Sequence, residues 1–97
     1  MSVLDDVLRE EYERAKKIRK MMQAELDQLP KEYISRKNIR GKVVCYLQKR
    51  EADKIVSRYI PKSDEELWER KIERRRQLQA SIRDLNKSIS KLKKVLG

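Results

Sequence analysis

The sequence predicts a mainly α-helical fold, a long antiparallel and coiled-coil-like helical hairpin with a small two- or three-stranded antiparallel β-meander inserted between the helices. Three observations predict this fold class. Apolar residues recur at steps of three and four in the first and last thirds of the chain. β-Branched and aromatic residues gather in the middle third. Pro30 and Pro61 separate these segments, because a helix disfavours the residue before a proline.

The first helix is predicted to span residues 3–29. Ser2 with Asp5 matches the pattern of a capping box at its start, and Pro30 ends it. Its apolar residues share one helix face. They are Leu4, Leu8, Tyr12, Ala15, Ile18, Met22, Leu26 and Leu29. The opposite face mixes acidic and basic side chains, which is typical of a face in contact with solvent.

The β-meander is predicted over residues 33–60. Two stretches favour strands, residues 43–47 and 55–60, and residues 33–36 suggest a further one. Arg40, Gly41 and Lys42 supply the first turn, and residues 51–54 supply the second although they lack the usual glycine. A lone hairpin is marginal in water. We therefore expect Trp68 and Ile72 of the last helix to cover one face of the sheet.

The last helix is predicted to span residues 64–96. Ser63 is the expected N-cap, and Glu66 completes a capping box. Farther along, apolar residues alternate spacings of four and three, which is the heptad pattern of a coiled coil. They are Leu78, Ile82, Leu85, Ile89, Leu92 and Leu96. Two helices alone make a thin core, so we expect a homodimer that closes a four-helix bundle, or a helical protein partner.

Composition favours a single folded domain over residues 1–97 without a thick core. Of the 97 residues, 38% are hydrophobic and 43% are charged. Long helices that bury one stripe each and expose the rest suit this balance. Chains this rich in charge are often disordered, but the periodic apolar residues and the helix caps favour a folded chain.

Positive charge is the main indication of a partner. The formal net charge is +10, and residues 31–62 alone hold ten basic and three acidic residues. Such an excess attracts polyanions, which include nucleic acid, anionic membranes and acidic proteins. No membrane partner is expected, because the basic face of the last helix lies opposite the apolar face that is needed for helix pairing.

Seven cations of the meander are the candidate nucleic-acid contacts. They are Arg36, Lys37, Arg40, Lys42, Arg50, Lys54 and Arg58. A strand places alternate side chains on opposite faces, so one face could present cations, interleaved with tyrosines, to phosphates while the other packs on a helix. In the alternative interpretation, these cations only block edge pairing and keep the sheet soluble.

An enzymatic function is not expected, and neither is a cofactor, a metal site or a small-molecule substrate. The chain has no histidine and a single cysteine, so the usual zinc and iron ligands and the usual general base are missing. With Gly41 and Gly97 as its two glycines, it has no phosphate-cradling glycine-rich loop. Cys45 is expected to be a small apolar filler in a strand.

A cytoplasmic location is predicted from two features. The first residues lack the basic and then apolar pattern of a signal peptide. The chain also contains no apolar run that approaches the roughly 20 residues of a transmembrane helix.

The middle of the chain resembles a known family. The matching stretches are residues 29–35, 39–41, 46–50, Lys54 and 57–62. They resemble an uncharacterised family of small prokaryotic proteins that have a β-meander followed by a charged helix. The chain departs from that pattern at Val44 and Cys45, where the family has paired tyrosines, and at Ala52 and Asp53, where it has glycines. The resemblance implies this fold and no settled activity.

The same region is also similar to the arm-type DNA-binding meander of phage integrases. The matching positions are Gly41, Tyr46, Arg50, Lys54 and Ser57. In that domain a three-stranded sheet docks in the major groove with a helix behind it, so the similarity implies contact with DNA.

We therefore predict a nucleic-acid-binding accessory protein of a prokaryote or mobile element, with DNA favoured over RNA. Its basic meander would contact the backbone, and its helices would position or dimerise the meander. The alternative is a coiled-coil adaptor or oligomerisation protein that binds a protein partner and has no nucleic-acid role. Salt-sensitive binding to nucleic acid distinguishes the first hypothesis from the second.

Overall fold

A computed structural model describes residues 2–97 of the chain. It contains helix α1 (Val3–Gln28), strands β1 (Tyr33–Ile39), β2 (Lys42–Glu51) and β3 (Lys54–Tyr59), and helix α2 (Glu65–Leu96). The prediction of a mainly helical chain with an antiparallel sheet between two helices is confirmed, and the sheet has three strands in the order β1-β2-β3. Within residues 2–97, no helix is both long enough and apolar enough to cross a membrane.

The two helices begin differently. At the start of α1, the Ser2 hydroxyl oxygen accepts a hydrogen bond from the Asp5 backbone N–H at 3.2 Å, as the predicted cap requires. Before α2, the Asp64 N–H donates to the Pro61 carbonyl at 2.9 Å and closes a short 3₁₀ turn. Ser63 therefore lies inside this turn and not at the N-cap position predicted for it.

The chain divides into two compact units. The first, the helical unit, combines α1 with residues 76–97, which include the rest of α2. The second, the sheet unit, comprises residues 29–75, which include the three strands and the first turns of α2.

In the helical unit, one series of half-buried side chains on α1 is spaced four and three residues apart. The series consists of Leu8, Tyr12, Ala15, Arg19, Met22 and Leu26. Ile18 was predicted on this face but is exposed. Arg19, which is four residues after Ala15, is half-buried in its place. The Arg19 guanidinium donates to the Asn86 amide oxygen at 2.9 Å, which joins α1 to α2.

The predicted apolar face of α2 is withdrawn from solvent. Leu78 is 1% exposed and Ile89 is 6% exposed. The positions between and after them are half-buried, namely Ile82, Leu85, Leu92 and Leu96. The apolar periodicity of the last helix therefore corresponds to actual burial within this unit.

In the sheet unit, a small core lies on one face of the meander. Cys45, Leu47 and Ile60 are buried, with Ile34 and Trp68 packed against them. Trp68 therefore covers the sheet as predicted. Ile72 is also buried, although it lies outside this cluster.

Both hairpins have two-residue loops. Arg40 and Gly41 connect β1 to β2 with φ angles of +52° and +79°, the combination that a type I′ turn requires. Ala52 and Asp53 connect β2 to β3, and Ala52 has a φ of +52°. The second predicted turn therefore forms without glycine, with an alanine in the left-handed region.

Candidate nucleic-acid interface

The pairing register divides the side chains of the meander between two faces. Directly opposed residues point to the same side of an antiparallel sheet. The face that carries Cys45 and Leu47 packs towards Trp68, and we call it the helix-side face. We call the other the open face. It consists of Tyr33, Ser35, Lys37, Ile39, Lys42, Val44, Tyr46, Gln48, Arg50, Ile55, Ser57 and Tyr59.

All three tyrosines of the meander lie on the open face, one on each strand. Tyr46 is directly opposite Tyr59, and their ring centroids are 6.2 Å apart with an interplanar angle of 71°. Tyr33 is opposite Gln48, which makes it the diagonal neighbour of Tyr46. Tyr33 is 39% exposed and Tyr59 is 59% exposed. The three rings therefore form a row across the sheet that is open to solvent at both ends.

Positive charge accompanies this aromatic row. The register places Lys37, Lys42 and Arg50 on the open face and places no carboxylate among the open-face residues. The Lys37 ammonium lies 5.3 Å from the Tyr46 ring centroid, within the range of a cation–π contact. The open face therefore combines aromatic rings with charged residues that are all cations.

Uncharged polar groups complete the open face between β2 and β3. The Gln48 side-chain N–H donates to the Ser57 hydroxyl oxygen at 3.2 Å. Amide and hydroxyl groups can also hydrogen-bond the edges of nucleic-acid bases. This pair lies beside the tyrosine row, since Ser57 is two residues before Tyr59 on β3.

Three of the predicted contact residues lie on the helix-side face instead. Arg36 forms an ion pair with Glu69 of α2. The Arg58 guanidinium lies 5.7 Å from the Trp68 ring centroid. Lys54 is directly opposite Glu51 in the strand register, although the Glu51 carboxylate forms its ion pair with Lys49 at 3.7 Å. Local acidic or aromatic groups thus accompany each of these cations.

Arg40, the remaining predicted contact residue, occupies the first turn. The structure therefore brings Lys37, Lys42 and Arg50 together with the tyrosines and separates the other four predicted residues from them. The alternation of side chains along β2 predicts part of this grouping. Lys42, Tyr46 and Arg50 are separated by even numbers of residues and therefore share a face. Which residues of β1 and β3 lie on the same face depends on the geometry of both turns. The sequence pattern alone did not establish it.

Cys45 lies in the buried core of the sheet unit. Burial raises the pKa of the Cys45 thiol above its usual value near 9.0, a hydrogen bond to the Glu65 carboxylate raises it further, and the charge of Arg36 opposes this. A thiol that stays protonated is a poor nucleophile. Its environment agrees with the predicted role as an apolar filler.

A second set of cations lies on α2 in the helical unit. Arg76, Arg83, Lys87, Lys91 and Lys94 are all exposed. They follow a helix with no aromatic row among them, so they resemble an ordinary solvated face. They provide a matched comparison for the cations of the open face.

Comparison with known proteins identifies the family of the chain. No curated protein and no solved structure matches it. The family model DUF6788, described as a domain of unknown function, matches residues 4–69. The match extends from α1 through the whole meander, and so contains every residue of the open face. The expected membership of an uncharacterised family is consistent with this match, whereas the similarity to the integrase meander stays a prediction. Because the match covers more than half of the sequence, the chain belongs to the DUF6788 family of domains of unknown function.

Proposed function

We propose that this protein is a nucleic-acid-binding accessory protein whose open face contacts the polyanion. The observation that supports this proposal is the combination of three tyrosines, three cations and no carboxylate on one solvent-facing side of the sheet. Phosphates attract such a face, and aromatic side chains give it a means of contacting bases. The role belongs to the cytoplasm, where nucleic acid is accessible.

Lys37, Lys42 and Arg50 are the residues we propose as the main phosphate contacts, and Arg40 extends the positive charge at the first turn. The other three predicted cations lie on the helix-side face near acidic or aromatic residues, and would act through the general positive potential of the meander. They are Arg36 beside Glu69, Lys54 beside Glu51 and Arg58 beside Trp68. Among the seven residues, neutralising the open-face cations should weaken binding most.

We propose that α1 and α2 form an antiparallel, coiled-coil-like hairpin. The burial spacing of four and three residues on both helices supports it. A contact within the helical unit supports the pairing of the two helices, the bond from the Arg19 guanidinium to the Asn86 amide oxygen.

The test is binding of fluorescein-labelled nucleic acid, followed by anisotropy at several salt concentrations. The variant Lys37→Gln/Lys42→Gln/Arg50→Gln removes three charges from the open face. Lys87→Gln/Lys91→Gln/Lys94→Gln removes the same charge from α2. We expect the open-face variant to weaken binding more, and to reduce the slope of log K against log salt by about 2–3, close to one unit for each phosphate that the variant no longer neutralises.

Two results would contradict this proposal. In the first, the unmodified protein binds neither duplex nor single-stranded nucleic acid, even at low salt. In the second, the affinity of the α2 variant falls as far as that of the open-face variant, which would indicate binding by total charge and not by this face. Thermal unfolding followed by circular dichroism establishes that both variants are folded.

The alternative function is a coiled-coil adaptor that binds a protein partner or a second copy. The exposed apolar side chains at the start of α1 favour it, namely Val3, Leu4 and Val7. Light scattering would then give a molar mass above that of one chain, and Leu4→Ser with Val7→Ser would reduce it. A monomer for both the unmodified protein and this variant would argue against self-association through this helix.

A further inference from the structure

We infer that the open face selects single-stranded nucleic acid, with unpaired bases stacked on Tyr33 and Tyr59. The inference rests on the proposed function and makes it more specific, because it names the form of nucleic acid that is bound. It follows from the exposure of the rings, from the distance between strands, and from the distribution of the cations.

Ring exposure distinguishes the tyrosines from one another. Tyr33 and Tyr59 are exposed and occupy the two edge strands, whereas Tyr46 is half-buried on the central strand. Tyr46 meets Tyr59 in an edge-to-face contact and has Lys37 over its ring. Tyr46 therefore orients its neighbour, and the two edge tyrosines offer ring surfaces to a ligand. Any base can stack on such a surface, because every base has a π-face.

The distance between the edge strands favours unpaired bases. β1 and β3 lie on opposite sides of β2, so their backbones are about 10 Å apart. Bases within a duplex are separated by only about 3.4 Å along each strand. Adjacent bases that reach both Tyr33 and Tyr59 must therefore be unstacked from each other, which a single strand permits and an intact duplex opposes.

The cations of the open face are placed to follow a phosphate backbone. Lys42 is the first residue of β2 and Arg50 is near its end, which separates them by about 27 Å at 3.4 Å per residue. Lys37 lies beside the tyrosine row between these limits. A strand that crosses the face would have its phosphates near these side chains and its bases near the rings, which is a common arrangement in proteins that bind single strands.

The experiment compares ligands of equal length with the full chain. Oligo-dT, oligo-U and a mixed-sequence duplex are each labelled with fluorescein and titrated at one salt concentration. We expect at least one single strand to bind about tenfold or more tightly than the duplex. Oligo-dU, which carries the same base as oligo-U, is then compared with it to identify the sugar that the face favours.

Substitution of the edge tyrosines tests stacking directly. We expect Tyr33→Leu and Tyr59→Leu each to weaken single-strand binding about tenfold, while Tyr59→Phe, which keeps the aromatic ring, retains nearly full affinity. Leucine preserves an apolar side chain on the strand. Circular dichroism melts establish that the variants are folded.

Photo-crosslinking supplies a second measurement that does not depend on affinity. An oligonucleotide that contains 5-iodouridine should crosslink to Tyr33 or Tyr59 on the open face. Tyr12 of α1 is the internal control, because it lies in the helical unit. Crosslinks confined to Tyr12 or to α2 would contradict the inference.

The possible results separate this inference from the proposed function. If the duplex binds as tightly as the single strands, or if both leucine variants keep full affinity, then stacking is wrong while nucleic-acid binding by the open face stands. If no nucleic acid binds, the proposed function fails and this inference fails with it.

Discussion

At the scale of single residues, Arg75 binds two backbone carbonyls of the sheet unit. Its guanidinium Nη1 donates to the Pro30 carbonyl at 2.6 Å and to the Glu32 carbonyl at 2.7 Å, in a partly buried position. These bonds attach the segment between α1 and β1 to α2.

We expect Arg75→Met to lower the free energy of unfolding by about 2–3 kcal/mol, because the change leaves two carbonyls without their charged donor. Arg76→Met is the matched control, since Arg76 is adjacent and exposed, and should change stability by no more than about 0.5 kcal/mol. Urea unfolding of both variants measures the difference. Equal stability of the two variants would show that the two hydrogen bonds contribute little.

At the scale of elements, the two hairpin turns adopt left-handed backbone conformations with different residues. Gly41 has a φ of +79° in the first turn, and an added Cβ there would meet no atom within 4 Å. Ala52 has a φ of +52° in the second turn. A side chain with a Cβ is strained in this region, at a cost of about 1–2 kcal/mol.

We therefore expect Ala52→Gly to raise the stability of the protein by up to about 1 kcal/mol, because it relieves strain at a cost in chain entropy. Gly41→Ala should lower stability by about 1 kcal/mol, and only through the backbone, since there is space for the methyl group. Thermal melts of the two variants should shift in opposite directions. A melting temperature that falls for Ala52→Gly would contradict the argument.

At the scale of the whole molecule, each unit has its own small core, and charged residues make up 43% of the sequence. Among residues 2–97, the buried ones are Leu78 and Ile89 in the helical unit and Cys45, Leu47, Ile60 and Ile72 in the sheet unit. Few residues therefore supply most of the apolar stabilisation. Single truncations in these cores should have large effects for a chain of this length.

Leu78→Ala tests this expectation in the helical unit. Leu78 is 1% exposed, and truncation of a buried leucine costs about 2–5 kcal/mol. Leu67→Ala, on the same helix at a site that is 52% exposed, should cost much less. Denaturant unfolding followed by circular dichroism compares the two. Similar losses would indicate that the burial of Leu78 does not determine the stability of the helical unit.

The helices and the existence of the meander could be predicted from the chain because their signals are local. Pro30 and Pro61 mark boundaries, and heptad spacing marks the face of α2 that is buried at Leu78 and Ile89. The face of α1 was predicted less accurately, since Ile18 and Arg19 are neighbours and only the packing on α2 selects between them. The prediction of Ser63 as the N-cap was wrong, because a 3₁₀ turn that includes Ser63 precedes the helix.

Residue types and their local spacing were enough to predict the order of elements, the membership of an uncharacterised family and the excess of positive charge. Alternation along β2 already groups Lys42 and Arg50 with Tyr46, but the folded sheet was needed to show that Lys37, Tyr33 and Tyr59 share their face. Strand register sets this grouping, and the register depends on the two turns and on cross-strand pairs such as Tyr33 with Gln48 and Tyr46 with Tyr59. Arg36 and Lys37 are neighbours in the chain, yet one pairs with Glu69 of α2 and the other lies over Tyr46.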